Sequence, residues 1–260
     1  MRKIFTTIFA AALIIQSATA WTGSIHAGIA AIAHDNMTEE AKSAVVDILG
    51  GHSIVYAASL PVKIADNIAI GANGKAVKAK KAAKSENKVV AEALLLQEID
   101  TAIATLKNSS ATKEQAAVAL KALVCAIGDL HCPGHYVYTD ALQLRDIAFL
   151  HTKDPNPRSF VEFWESAAFY GTYSWKTNEF VHQLSRKTPE QVAAITAGNI
   201  KKWAEGNAAA YRPLYSMVEN GHHFEKGIEY RLWLNDIYPI AIEQIAVAGY
   251  RLAAVLNSLF

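Results

Sequence analysis

Apolar residues recur at three- and four-residue spacing along most of the chain, the period of amphipathic helices. The pattern predicts helices over Ile25–Ala33 and Thr38–Leu49. The second opens on Thr38-Glu39-Glu40-Ala41, acidic in its first turn, and stops at Gly50-Gly51. Two longer helices are predicted over Val89–Leu106 and Thr112–Leu130. The latter starts with Thr112-Lys113-Glu114-Gln115, which has the spacing of a capping box, and breaks at Pro133-Gly134. Further stretches follow over Ser159–Phe169, Asn178–Leu184, Thr188–Ala197, Asn199–Met217 and Tyr230–Leu259. Strand-like alternation is almost absent; Tyr136-Val137-Tyr138 is the one short candidate. No internal repeat is visible. The expected fold class is all-α, in a single domain over residues 21–260.

Residues 1–20 read differently. Arg2 and Lys3 precede an apolar run from Ile4 to Ile15, and Ala18-Thr19-Ala20 has the small-x-small form of a cleavage site. This is the pattern of a secretory signal peptide, too short for a spanning helix. It makes a secreted or periplasmic protein the expectation. Cleavage would leave Trp21 with a free α-amino group, and an amine beside a backbone carbonyl can chelate a metal. A core tryptophan at a processed terminus is the simpler alternative. Loss of Arg2 and Lys3 turns the formal charge of +1 into −1, which excludes a strongly basic nucleic-acid coat. No second apolar run is expected to anchor the chain in a membrane, and a monomer is expected.

An apolar fraction of 52% supports a sizeable core. Cys125 and Cys132, seven positions apart on one helix, would stand roughly 10 Å from each other, too far to bridge. The segment Gly71–Lys88 carries six lysines and few apolar residues. It reads either as a basic flap over phosphates or, in better accord with its lack of aromatics, as a solvated linker or helix face. His151–Arg158, with Pro155 and Pro157, reads as a loop.

Candidate chemistry concentrates in Leu123–His135. Cys125 and Asp129 are four apart and share a helix face, and the break at Pro133-Gly134 lets His135 return near that face. Oxygen, nitrogen and sulfur donors would then converge, a set that suits zinc. His131 projects elsewhere and reads as a hydrogen-bonding structural residue. Downstream, Glu165 in Phe163-Trp164-Glu165-Ser166 is a carboxylate on an apolar helix and needs a cation or a metal as partner. A structural aspartate and histidine on a buried helix is the rival explanation of the set.

Gly-Asp-x-His-x-Pro-x-His at a helix end, a Trp directly after the leader and a His five residues on resemble the single-strand-specific zinc nucleases. Those are three-zinc enzymes of fungi, plants and bacteria, relatives of the bacterial zinc-dependent phospholipases C. The similarity extends to Lys42–Gly51, to Phe163-Trp164-Glu165-Ser166, and to Ala248-Gly249-Tyr250-Arg251-Leu252-Ala253 with Leu256-Asn257. The resemblance implies a helical zinc-dependent phosphodiesterase that acts on single-stranded nucleic acid or on 3′-nucleotides.

The resemblance also implies a metal centre built from the terminal Trp, five histidines and three carboxylates. Trp21, His26, Asp129 and His135 match it by position, and Glu165 stands where an Asp is usual. Cys125 replaces a His, and a thiolate would make a weaker Lewis acid of the zinc. Val161 replaces another His and cannot ligate. The first-half Asp corresponds to Asp66 with a short shift, or to Val62 without one. No His lies between His52 and His131, and the family's Gly-Gly-Asn turn is missing. His151 or His182 could substitute, though nothing in the spacing demands it. Trp21, His26 and Asp129 keep one zinc site whole, His135 and Glu165 keep part of a second, and a third would rest on Asp66, Cys125 and Asp129. Two readings follow: a secreted zinc-dependent phosphodiesterase with one to three zinc ions, or a noncatalytic homologue that serves as an envelope binding protein. Tyr56, Tyr136 and Tyr138 could stack a base, with core packing the more ordinary role.

Overall fold

The structure is a computed structural model that describes Trp21 and residues 23–59, 86–132, 172, 174–216 and 227–260. Every regular element among them is an α-helix, and they contain no strand. In chain order these are α1 (Gly23–Asp35), α2 (Glu39–Ile48), α3 (Ile54–Ser59), α4 (Glu86–Lys107), α5 (Lys113–Leu130), α6 (Thr177–Leu184), α7 (Pro189–Thr196), α8 (Ile200–Ser216) and α9 (Gly227–Leu259). The all-α expectation holds. The predicted helix at Ser159–Phe169 and the strand candidate at Tyr136–Tyr138 lie outside the described residues.

The caps explain why the boundaries fall so close to the periodicity. Thr38 caps α2 by accepting from the Ala41 N–H at 3.2 Å, and Gly50 and Gly51 take φ of 64° and 93° just past its end. At α5 the capping box is complete: Thr112 Oγ1 accepts from the Gln115 N–H, and Gln115 Oε1 accepts from the Thr112 N–H. Thr188 and Gln191 repeat the device at α7, with Pro189 in the first helical position.

The central element is α1, buried at every residue from Ile25 to Ala33. A helix apolar on all sides must be surrounded, and α3, α5, α6 and α9 do surround it. Two glycines set the closest approaches. A Cβ at Gly28 would lie 2.5 Å from the Phe180 ring of α6, and one at Gly249 would lie 2.5 Å from Ile32 Cγ2. Among the described residues, α4 packs along α5, where Ile99, Ala102, Leu120 and Leu123 are buried.

Residues 86–88, the end of the lysine-rich segment, are the first turn of α4, which takes the helix form of that reading over the linker; residues 71–85 lie outside the described set. Two expectations are corrected. Tyr56 does not enter the core: it is 46% exposed and stacks on His52 with ring centroids 4.4 Å apart. And a second run, Leu232–Leu259 of α9, is long and apolar enough to cross a membrane by length and composition, but it packs on α1, α2, α4, α5 and α7, as a core helix does. Cys125 and Cys132 are not joined by a disulfide, in line with their spacing.

The C-terminal motif now has a physical reading. Gly249 admits Ile32, and the Tyr250 hydroxyl accepts from the Lys187 N–H at 3.0 Å. Arg251 enters the core beside α5, and Asn257 receives the Thr38 N–H at 2.9 Å while donating to the Asn36 carbonyl. About two turns of α9 thereby tie down α1, α2, α5 and the α6–α7 link.

Candidate metal centre

The site forms where the carboxyl end of α5 meets the start of α1. Trp21 is fully buried, and its indole N–H donates to the Gly128 carbonyl at 3.0 Å. His26, one turn into α1, sets Nε2 3.1 Å from Asp129 Oδ1, with both side chains almost wholly buried. Gly128 makes that pairing possible: a Cβ there would lie 2.8 Å from His26 Cδ2 and 2.9 Å from Nε2. The sequence Gly128-Asp129 thus presents a bare patch of helix for the imidazole and, beside it, the carboxylate it faces.

All four carbonyls at the end of α5 have identified donors, which holds Asp129 in place. Ile127 O accepts from His131 Nδ1 at 2.7 Å, Gly128 O from Trp21, Asp129 O from the Cys132 N–H, and Leu130 O from Asn207 Nδ2 at 2.9 Å. Such groups would be orphans at an uncapped end. His131 is itself fixed. With its proton on Nδ1, its Nε2 accepts from Arg251 at 2.8 Å, while the same guanidinium donates to Asn207 Oδ1 and the Ile195 carbonyl and lies 5.0 Å from the Trp203 ring centroid. Burial, and then the adjacent Arg251 charge, hold the His131 pKa down to about 3, against the pull of the Ile127 carbonyl. His131 is a structural histidine, as its direction on the helix predicts.

Of the sequence candidates, the structure brings Trp21, His26 and Asp129 together and puts Cys125 one turn before Asp129, half-buried. Burial, and then the charges of Asp129 and Glu98, push the Cys125 thiol up to about 12. Asp66, His135 and Glu165 lie outside the described residues, as do Val62, His151 and Val161. His182 is exposed on α6. Among the described residues, no three His, Cys, Asp or Glu side chains gather into one ligating group.

The His26–Asp129 pair is a direct hydrogen bond, and its spacing is also one that two zinc ligands take. Two ligands about 2.05 Å from a shared zinc, at angles of about 90–110°, stand about 2.9–3.4 Å apart; His26 Nε2 and Asp129 Oδ1 are 3.1 Å apart.

Glu98 on α4 was missed by the sequence reading. It is half-buried on α4, and burial, reinforced by the Asp129 charge, raises its pKa to about 7. The available signal was its place in the apolar stripe, three residues after Leu95 and four before Ala102.

A helical domain with a tryptophan, a histidine and an aspartate gathered at one helix end defines the class. The S1/P1 nuclease family profile matches residues 21–260, and the chain belongs to that family. No curated protein gives a significant match.

Proposed function

We propose that this protein is a secreted zinc-dependent phosphodiesterase that cleaves single-stranded nucleic acid or 3′-nucleotides, built around Trp21, His26 and Asp129. The observation that carries the reading is the 3.1 Å pairing of His26 and Asp129 beside the anchored Trp21, in a chain of a nuclease family. The family match begins at Trp21, in keeping with a leader that ends at residue 20. Asp66, Cys125, His135 and Glu165 are the further proposed ligands, carried by the resemblance. Zinc, when bound, supplies a Lewis acid for the phosphate oxygens and the leaving 3′-oxygen and acidifies water toward neutral pH. The chain's own part is positional. His26 and Asp129 present fixed donors, the buried Trp21 indole aims the terminal amine, and the apolar walls of α1 and α5 exclude bulk water.

The test is a zinc-content measurement on protein shown to begin at Trp21, followed by assays with single-stranded DNA, RNA and 3′-AMP. Hydrolysis that a chelator abolishes and zinc restores is expected. Zinc-loaded protein without turnover on any of these would favour the second reading, a noncatalytic envelope binding protein. That reading draws support from Val161 in place of a ligating His and from the strongly raised Cys125 thiol, which zinc must deprotonate before sulfur can ligate. Protein with no zinc would sink the first reading at its base.

A further inference from the structure

We propose that Arg251 of α9 is a positioning residue for Asp129: its guanidinium sets the direction of two hydrogen-bond chains that end on the last turn of α5, on either side of the carboxylate. The inference rests on the zinc reading above and adds to it a residue that touches no metal.

Arg251 is held where it stands. Its Nε donates to the Ile195 carbonyl of α7 at 2.9 Å, and its guanidinium carbon lies 5.0 Å from the centre of the Trp203 ring on α8. From that fixed place Nη1 reaches two acceptors, His131 Nε2 at 2.8 Å and Asn207 Oδ1 at 3.2 Å.

A guanidinium has donors and no acceptor, and that one-sidedness decides what its partners do. His131 must turn a bare Nε2 to it, so the ring proton sits on Nδ1 and is donated to the Ile127 carbonyl at 2.7 Å. Asn207, buried on α8, must turn its oxygen to it. Its amide nitrogen therefore faces the other way and donates to the Leu130 carbonyl at 2.9 Å. Ile127 and Leu130 bracket Asp129 in the chain. Both carbonyls belong to the final turn of a helix, where no further turn supplies donors. Asp129 Oδ1 lies 3.1 Å from His26 Nε2, so the turn that Arg251 clamps is the turn that aims that carboxylate.

Charge and geometry make opposite predictions for this residue. A cation in contact with His131, two residues from Asp129, opposes a bound metal ion, so its removal should tighten binding if charge alone mattered. Loss of the clamp should loosen it.

The experiment compares the mature protein with Arg251→Met, Arg251→Lys, Asn207→Asp and Tyr250→Phe by zinc titration against a chelator and by urea unfolding without metal. Arg251→Met should weaken zinc binding by roughly tenfold or more, the size of effect that outer-shell partners of metal ligands have, despite the lost positive charge. Arg251→Lys keeps the charge without the fork and should fall between that variant and the parent. Asn207→Asp keeps an acceptor for Arg251 but sets a second oxygen against the Leu130 carbonyl. It should also weaken binding, although it adds a negative charge, and it serves if Arg251→Met does not fold. Tyr250→Phe is the control: it removes the hydroxyl that accepts from the Lys187 N–H, next to Arg251 on α9, and should lower stability without changing zinc affinity. Nitrogen NMR of the metal-free parent should find the His131 proton on Nδ1; a proton on Nε2 would overturn the relay itself. Affinity equal to the parent's or tighter in folded Arg251→Met and Asn207→Asp would overturn the positioning role and leave the Trp21–His26–Asp129 site standing. So would a loss in Tyr250→Phe as large as in Arg251→Met. A parent protein that binds no zinc would overturn both.

Discussion

A methyl group at position 128 would stand 2.8–2.9 Å from the His26 ring and 3.5 Å from Ile29 Cδ1, so the buried imidazole would have to shift. Gly128→Ala should therefore push His26 off Asp129. The substitution gains helix propensity of about 1 kcal/mol, but an overpacked core commonly loses about 1–3 kcal/mol. The expected net result is a melting temperature lower by a few degrees, together with weakened zinc binding; a variant that melts higher and binds zinc as before would show that the close approach is unimportant. Trp21→Phe tests the other half of the site. It keeps the terminal amine and most of the buried ring but loses the bond to the Gly128 carbonyl, a loss of about 0.5–1.5 kcal/mol. Because that carbonyl also accepts from the His131 N–H, it is not orphaned. The larger effect should be on metal: with the terminus less firmly aimed, chelator titration should show weaker zinc binding in a protein of nearly unchanged stability.

At the scale of the helices, local signals sufficed where structure is local. Period, capping residues and the Gly50-Gly51 stop lie within a few positions of one another, and the observed bounds of α2, α5 and α7 follow them. The start of α4 was less legible because lysine is a good helix former as well as a solvated linker residue, so residues 86–88 could be read either way. The site divides likewise. Trp21, His26 and Asp129 stood out because their types and spacings form a motif. Glu98 did not, because its meaning depends on α4 meeting α5 side by side. Nor did the Arg251–His131 contact, which joins positions 120 apart in sequence. Tyr56 was misjudged for a related reason: whether an aromatic on a short helix faces core or solvent is decided by its neighbours. The separation of scales within α5 can be tested. Thr112 and Asp129 are at opposite ends of that helix, roughly 25 Å apart. Thr112→Ala should cost about 1 kcal/mol in urea unfolding through loss of the capping box, and it should leave zinc affinity unchanged. A drop in affinity would mean that fraying at one end of α5 reaches the other.

For the whole molecule, buried His131 and half-buried Glu98 oppose each other in pH. His131 is held neutral, with a folded pKa near 3 against 6.5 for the free side chain. Below pH 6.5 the unfolded chain takes up a proton that the folded chain refuses, so the stability His131 contributes is complete above that pH and drains away as pH falls toward 3. Glu98 has the opposite sign: its folded pKa of about 7 lies above the ordinary 4.5. Between those values the folded chain holds the extra proton, so acidification relieves the penalty of its burial. From pH 6.5 to 4.5 the two proton counts cancel, and stability set by this pair should be nearly flat. Below 4.5 only His131 still acts, with a slope of up to about 1.4 kcal/mol per pH unit. Urea unfolding with chelator present, so that metal linkage is absent, should therefore show acid loss beginning near pH 4.5 in the parent protein. In Glu98→Gln the counterweight is gone, and the decline should begin near pH 6.5. Identical profiles for the two proteins would mean that Glu98 is charged in the folded chain throughout this range, and that the seam between α4 and α5 is open to water rather than closed over a carboxylate.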